Sequence, residues 1–252
     1  MLEELLRLNI FAFFLIFARV GTAIAFLPGF SASYVSIRMR LVVGLAVSFV
    51  IMPTLAADLP VAPPTVTALA LMLGGEILIG AFFGVIMRTL ITSLQTAGTI
   101  AALASSMSNA LIQDPIAEQQ SSTISGFLLT MGVVLIFVSD MHHMMLRGII
   151  ETYAMFEPGA RLPWGDFANA VGRHVADSFA MGLQMASPFM VIGLTYYIGL
   201  GLLGRLMPQL PVFFFGLPLQ ITLQLTIFTV TVSGIMLTFV QYFQAGVGRF
   251  LP

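Results

Sequence analysis

An all-α, membrane-associated architecture of long helices broken at proline is specified by this sequence, and three observations lead to it. Arg205 is the only charged residue between Asp177 and Arg249, and an uncharged run of roughly 20 apolar residues is what a helix needs to cross a hydrocarbon core. Of 252 residues, 58% are hydrophobic and 8% charged, with a mean hydropathy of +1.01; a soluble domain carries about 25% charge. Thirteen prolines are spread along the chain, so a single membrane unit of roughly six to eight segments is expected, not a soluble domain with an anchor.

Charge gaps and prolines delimit the segments. Residues 10–27 form the first; acidic Glu3 and Glu4 precede it and no small-residue cleavage site follows, so a retained helix is expected and not a removable signal peptide. It ends at Pro28-Gly29. The second, 41–57, starts after Arg38 and Arg40 and is followed by Pro63-Pro64. Arg88 separates a third segment, 66–87, from a fourth, 89–112, which stops before Asp114-Pro115. The fifth is 124–146. The sixth and seventh, 179–204 and 212–240, flank the break Arg205-Leu-Met-Pro208-Gln209-Leu-Pro211. Proline marks these turns because it lacks the N–H and restricts the residue before it.

Residues 147–177 make the longest polar connection, with Arg147, Glu151, Glu157, Arg161, Asp166, Arg173, the turn Pro158-Gly159 and the only tryptophan, Trp164. That mixture predicts an interfacial helix and loop. Arg38, Arg40, Arg88 and Arg147 fall on one side, opposite the loops near Asp58 and Asp114. The positive-inside rule then places the amino terminus outside, with Arg205 as an exception. Eleven of the twenty-five residues in 89–113 are Ser, Thr, Asn or Gln, among them Gln95, Ser105, Ser106, Ser108 and Asn109. Such a face belongs against protein or a wet lumen, not lipid.

Net charge is −1 and cysteine is absent. A basic field for nucleic acid is therefore lacking, and disulfides, thiolate metal sites and thiol nucleophiles are excluded. Arg19 and Glu76 are the ionisable groups set deepest in apolar sequence, each costing about 2.5 to 3.5 kcal/mol at a bilayer centre. Two readings stand: an intramembrane ion pair or proton-relay element, or residues that lie near segment ends or in an assembly that lipid does not surround there. Gly80 and Gly84 form a small-xxx-small step one turn beyond Glu76, which favours close helix packing.

Met141-His142-His143-Met144-Met145 offers soft-metal ligands, but adjacent helical residues diverge by about 100°, so no metal is expected. Gly199, Gly201 and Gly204 fit GxGxxG. No acidic residue follows Asp177, which removes the dinucleotide reading and leaves glycines for tight helix packing before a break. No nucleophile, metal-ligand or phosphate-loop constellation is present; no catalytic residue and no cofactor are expected. Sixteen methionines and twenty-two phenylalanines fill a core or line a deformable constriction.

In order and spacing, a set of motifs resembles the FliR family of flagellar export-gate proteins and its virulence type III secretion counterpart, SctT. The most specific is Gly199-Leu-Gly-Leu-Leu-Gly-Arg205-Leu-Met-Pro208-Gln209, followed by Val212-Phe213 and Gly216-Leu-Pro218. Arg19 before Pro28, the Arg38 and Arg40 pair, Glu76 with Gly80, Gln95 to Gly98, Asp114-Pro115, His142-His143 and Ala186-Ser-Pro188 accompany it. Three positions depart from the pattern: Pro211 stands where asparagine is common, Gln220 near a common lysine, and Ser36 where proline is usual.

The resemblance implies a single export-gate domain over residues 1–252, built from helical hairpins. One such chain joins FliP and FliQ subunits in a funnel-like assembly, with FlhB packed against it, in the bacterial inner membrane at the flagellar basal body. Much of that complex stands above the bilayer plane, so segment counting gives no topology. Residues 106–119 lie where the family has a channel plug; the candidate gate residues are Ser106, Met107, Ser108, Asn109, Ile112, Gln113, Asp114, Pro115 and Glu118. Arg19, Glu76, Gly80 and Gly84 are candidates for buried ionic packing, and Arg205, Pro208, Gln209, Pro211 and Phe213 for the helix break, with residues 213–215 in subunit packing. The implied function is non-enzymatic conduction of unfolded flagellar subunits. A virulence-type export gate and a small-molecule secondary transporter are the alternatives.

Overall fold

The computed structural model describes residues 2–55, 59–107, 111–113, 120–160, 162–209 and 212–251, with side chains from Ile10 onward outside 111–113, 120–121 and 212–213. The elements run α1 (Leu2–Phe26), α2 (Ile37–Leu55), α3 (Val66–Ala104), β1 (Leu111–Gln113), β2 (Gln120–Ser122), α4 (Thr123–Val138), α5 (Met141–Met155), α6 (Trp164–Leu206) and α7 (Val212–Gly248). The fold is all-α apart from one short antiparallel hairpin, in which Ile112 pairs with Ser121. Among the described residues four helices, α2, α3, α6 and most of α7, are long and apolar enough to cross a membrane, or five spans if α4 and α5 count as one broken span.

Several segment boundaries differ from expectation, each for a local reason. Arg88 does not interrupt α3, because its side chain is exposed while Phe83, Ile86, Met87 and Leu90 form the buried stripe around it. Residues 124–146 are not one helix: Asp140 takes φ 58 in the left-handed region and separates α4 from α5. The polar connection is mostly helical, since α6 starts at Trp164. There Phe167, His174 and Ser178 are buried while Asp166, Arg173 and Asp177 are exposed, which is the amphipathic pattern of a helix lying over a core. Ile112 lies in β1 and not in a helix, because α3 stops at Ala104.

That stop is a Schellman motif. Met107 N–H donates to the Ala102 carbonyl and Ser106 N–H to that of Leu103, with Ser106 at φ 57. The 6→1 and 5→2 pattern satisfies carbonyls that the helix end would otherwise orphan. Serine occupies a position where glycine is the usual residue.

The chain divides into two compact units, the first comprising Met1–Leu90, Ser139–Val175 and Gln244–Pro252, the second Ile91–Val138 and Ala176–Phe243. In the first, Leu15, Ile16, Val20 and Ile24 of α1 are buried with Ile79, Phe83 and Ile86 of α3 and with Met145 and Ile149 of α5. The helices α1 and α2 form a hairpin, in which a Cβ on Gly44 would lie 3.4 Å from the Gly21 Cα. In the second unit, Leu94 of α3, Leu128 of α4, Phe189 of α6 and Phe239 of α7 are buried. Its α6 and α7 segments pair as a further hairpin, closed where the Tyr196 hydroxyl donates to the Gly216 carbonyl.

Candidate functional site

Two groups of sequence-predicted residues acquire a definite geometry, one in each unit. In the first unit Arg19, on α1, donates from Nε to Glu76 Oε2 at 2.6 Å and from Nη2 to Glu76 Oε1 at 3.0 Å. Two further donations run to Thr152 Oγ1, at 3.3 Å from Nη1, and to the Phe156 carbonyl, at 2.9 Å from Nη2. The guanidinium lies 3.8 Å above the centroid of Tyr153. Arg19 is 0% and Glu76 1% exposed. The α1–α3 approach that permits this is set by glycine: a Cβ on Gly80 would collide with the Arg19 carbonyl and the Thr22 hydroxyl, and one on Gly84 would stand 2.6 Å from Phe26 Cβ.

Chemically this cluster resembles a lock more than a relay. The bidentate fork–fork pair uses both carboxylate oxygens, and the remaining donations hold the guanidinium against the last turn of α5. Leaving one member of a buried pair without the other exposes the full desolvation cost of the survivor. Sequence reasoning found Arg19, Glu76, Gly80 and Gly84 through their unusual placement, but missed Thr152, Tyr153 and Phe156. Their sequence falls within the stretch read as a polar connection, and an aromatic at 153 beside a threonine carries no distinctive spacing.

The second unit holds the end of α3 and the connection to α4. Ser106 Oγ and Tyr197 Oη lie 3.2 Å apart. Gln220, on α7, donates from Nε2 to the Ala104 carbonyl at 2.7 Å and to Tyr197 Oη at 2.9 Å. At the end of the hairpin, Ser122 Oγ donates to the Gly98 carbonyl at 3.4 Å, and in α4 Ser125 Oγ donates to that of Gln95 at 3.3 Å. Gly98 is required there, because a Cβ would come within 2.8 Å of the Ser125 N. The connection thus leaves α3 at Ala104, returns beside Gly98, and is tied at both roots by hydrogen bonds. Ser106 and Met107 belong to the first root, and Ile112 and Gln113 to β1; Ser108, Asn109, Asp114, Pro115 and Glu118 lie outside the described residues. Tyr197 was not singled out by sequence, and Gln220 only as a departure from a family pattern.

At the helix break, Arg205, Pro208 and Gln209 are exposed, whereas Pro211 and the Phe213 side chain lie outside the described residues. Among the described residues a Cβ on Gly199, Gly201 or Gly204, the glycines expected to allow tight packing before the break, would meet nothing within 4 Å. Leu206 is 76% and Phe214 81% exposed. The expected divergence of the two histidines also fails. The rings of His142 and His143 are 4.1 Å apart, and with Asp140 they bring ligand atoms within 4.8 Å of one another. This trio sits at the amino-terminal end of α5, where the helix dipole opposes a cation, and no role is assigned to it.

Comparison with known proteins agrees with the motifs. The family described as Bacterial export proteins, family 1, matches residues 10–246. The flagellar biosynthetic protein FliR of Caulobacter vibrioides is 31% identical over 230 residues, covering 91% of this chain and 92% of that protein. FliR of Bacillus subtilis is 28% identical over 227 residues, 89% and 87% of the two chains, and FliR of Escherichia coli K12 28% identical over 210 residues, 83% and 79%.

Proposed function

The chain belongs to the FliR family, family 1 of the bacterial export proteins, and from that premise we propose that it is a core subunit of the flagellar type III export gate. As a family member with four span-length apolar helices it is a membrane component of the flagellar export apparatus. In the proposed arrangement the 252 residues act as one export-gate domain. The chain joins FliP and FliQ around a channel for unfolded flagellar subunits, with FlhB alongside, in the inner membrane at the basal body. It catalyses nothing itself; other components and the proton-motive force drive transport.

The observation that carries the gate reading is the connection from α3 to α4. Its roots are held by Gln220, Tyr197 and Ser106 at one end and by Ser122 and Ser125 at the other. Such bonds contribute about 0.5 to 1.5 kcal/mol each, enough to fix a plug at its base yet few enough to release it. Deleting residues 108–119 in the assembled complex tests this in a planar bilayer. Small-ion leakage with assembly retained is expected; conductance unchanged from the intact complex would overturn the gate assignment.

A further inference from the structure

We propose that the cleft between α1, α2 and the amino-terminal part of α3, within the first unit, holds one acyl chain of an anionic phospholipid whose phosphate is bound by Arg40. The cleft has a volume of about 530 Å³ and is lined mainly by apolar groups, including Phe14, Phe17, Leu41 and Ile77. That volume falls within the roughly 300 to 1,000 Å³ of clefts that enclose small ligands. Gly21 contributes to the opening, because a side chain there would project over the Phe17 ring.

Arg40 gives the cleft one polar end. Its Nη2 donates to the Ala32 carbonyl at 2.6 Å, which anchors the guanidinium. Among the described residues its Nε is buried without a hydrogen-bond partner, a condition rare for a guanidinium N–H. Among the described residues the ion pairs are Arg19 with Glu76 and His143 with Asp140, so neither Arg40 nor the nearby Arg38 is neutralised by a carboxylate. Both arginines stand in the first turn of α2, where no acidic residue is present and where the helix dipole favours an anion. A phosphate oxygen supplies the missing partner with a charge-assisted bond once the side chain turns its covered Nε toward the cleft. An apolar trough with a basic end is the chemistry that takes an anionic lipid.

The test uses the full chain in detergent and native mass spectrometry with added dioleoyl phosphatidylglycerol, dioleoyl phosphatidylcholine or dihexanoyl phosphatidylglycerol. Preferential retention of the long-chain anionic lipid is expected, because choline offsets the phosphate charge of phosphatidylcholine, with Arg40→Gln weakening retention of the anionic lipid about fivefold, the effect of one surface cation. Equal retention of the two long-chain lipids, or of short and long phosphatidylglycerol, would overturn the proposal. So would a photo-crosslinker at Ile77 that captures a second protein chain in cells and forms no lipid adduct.

Discussion

Arg19 and Glu76 each make sense only because the other is present, and this sets a measurable asymmetry. Replacing Glu76 by Gln or Arg19 by Leu leaves an unmatched group in a site where the originals are 0% and 1% exposed. Each is expected to destabilise by about 3 to 5 kcal/mol, read as a fall in the thermal midpoint of the detergent-solubilised chain. The double replacement Arg19→Leu with Glu76→Gln is expected to lose less than the sum of the single losses, since neither charge is then stranded. Additive losses would show that the two residues do not act as a pair. Gly80→Leu should fail in a different way, because its side chain collides with the α1 backbone at Arg19. Arg19 and Glu76 were legible in sequence as rare ionisable groups in apolar runs, though their pairing was one of two readings left open; Thr152 and Tyr153 were not, being ordinary residues in an unremarkable stretch.

The helices themselves show where sequence signals are strong and where they are mute. Long uncharged runs located α2, α3, α6 and α7, but a single exposed arginine at 88 was mistaken for a boundary, since periodicity says only which face a charge occupies after the helix is known. The α4–α5 break carries no proline or glycine; it rests on Asp140 in the left-handed region, which short polar residues tolerate. The hairpin of β1 and β2 has three residues per strand, too few for an alternating pattern to register. At the end of α3, Gln220→Leu removes the donor to the Ala104 carbonyl and to Tyr197. Amide hydrogen exchange over residues 101–107 is expected to accelerate about fivefold to tenfold, the equivalent of one buried hydrogen bond; unchanged exchange there would mean that Gln220 does not hold the root of the connection.

At the level of the whole molecule, exposed apolar side chains at the α6–α7 break distinguish folding from assembly. Phe214 is 81% and Leu217 51% exposed. Phe214→Asp and Leu217→Asp should therefore shift the stability of the isolated chain by no more than about 0.5 kcal/mol, while reducing recovery in a complex with partner subunits. A large loss of stability in the isolated chain would place these residues in its own core. The glycines at 199, 201 and 204, expected to allow tight helix packing before the break, meet nothing within 4 Å among the described residues; a sequence pattern of small residues does not by itself say what packs on them. The central claim is that this protein is one subunit of a larger gate. Native mass spectrometry after co-expression with FliP and FliQ tests it most directly. A discrete hetero-oligomer containing one copy of this chain is expected. Recovery of only a free monomer or homodimer, from partners shown to be expressed and folded, would contradict it.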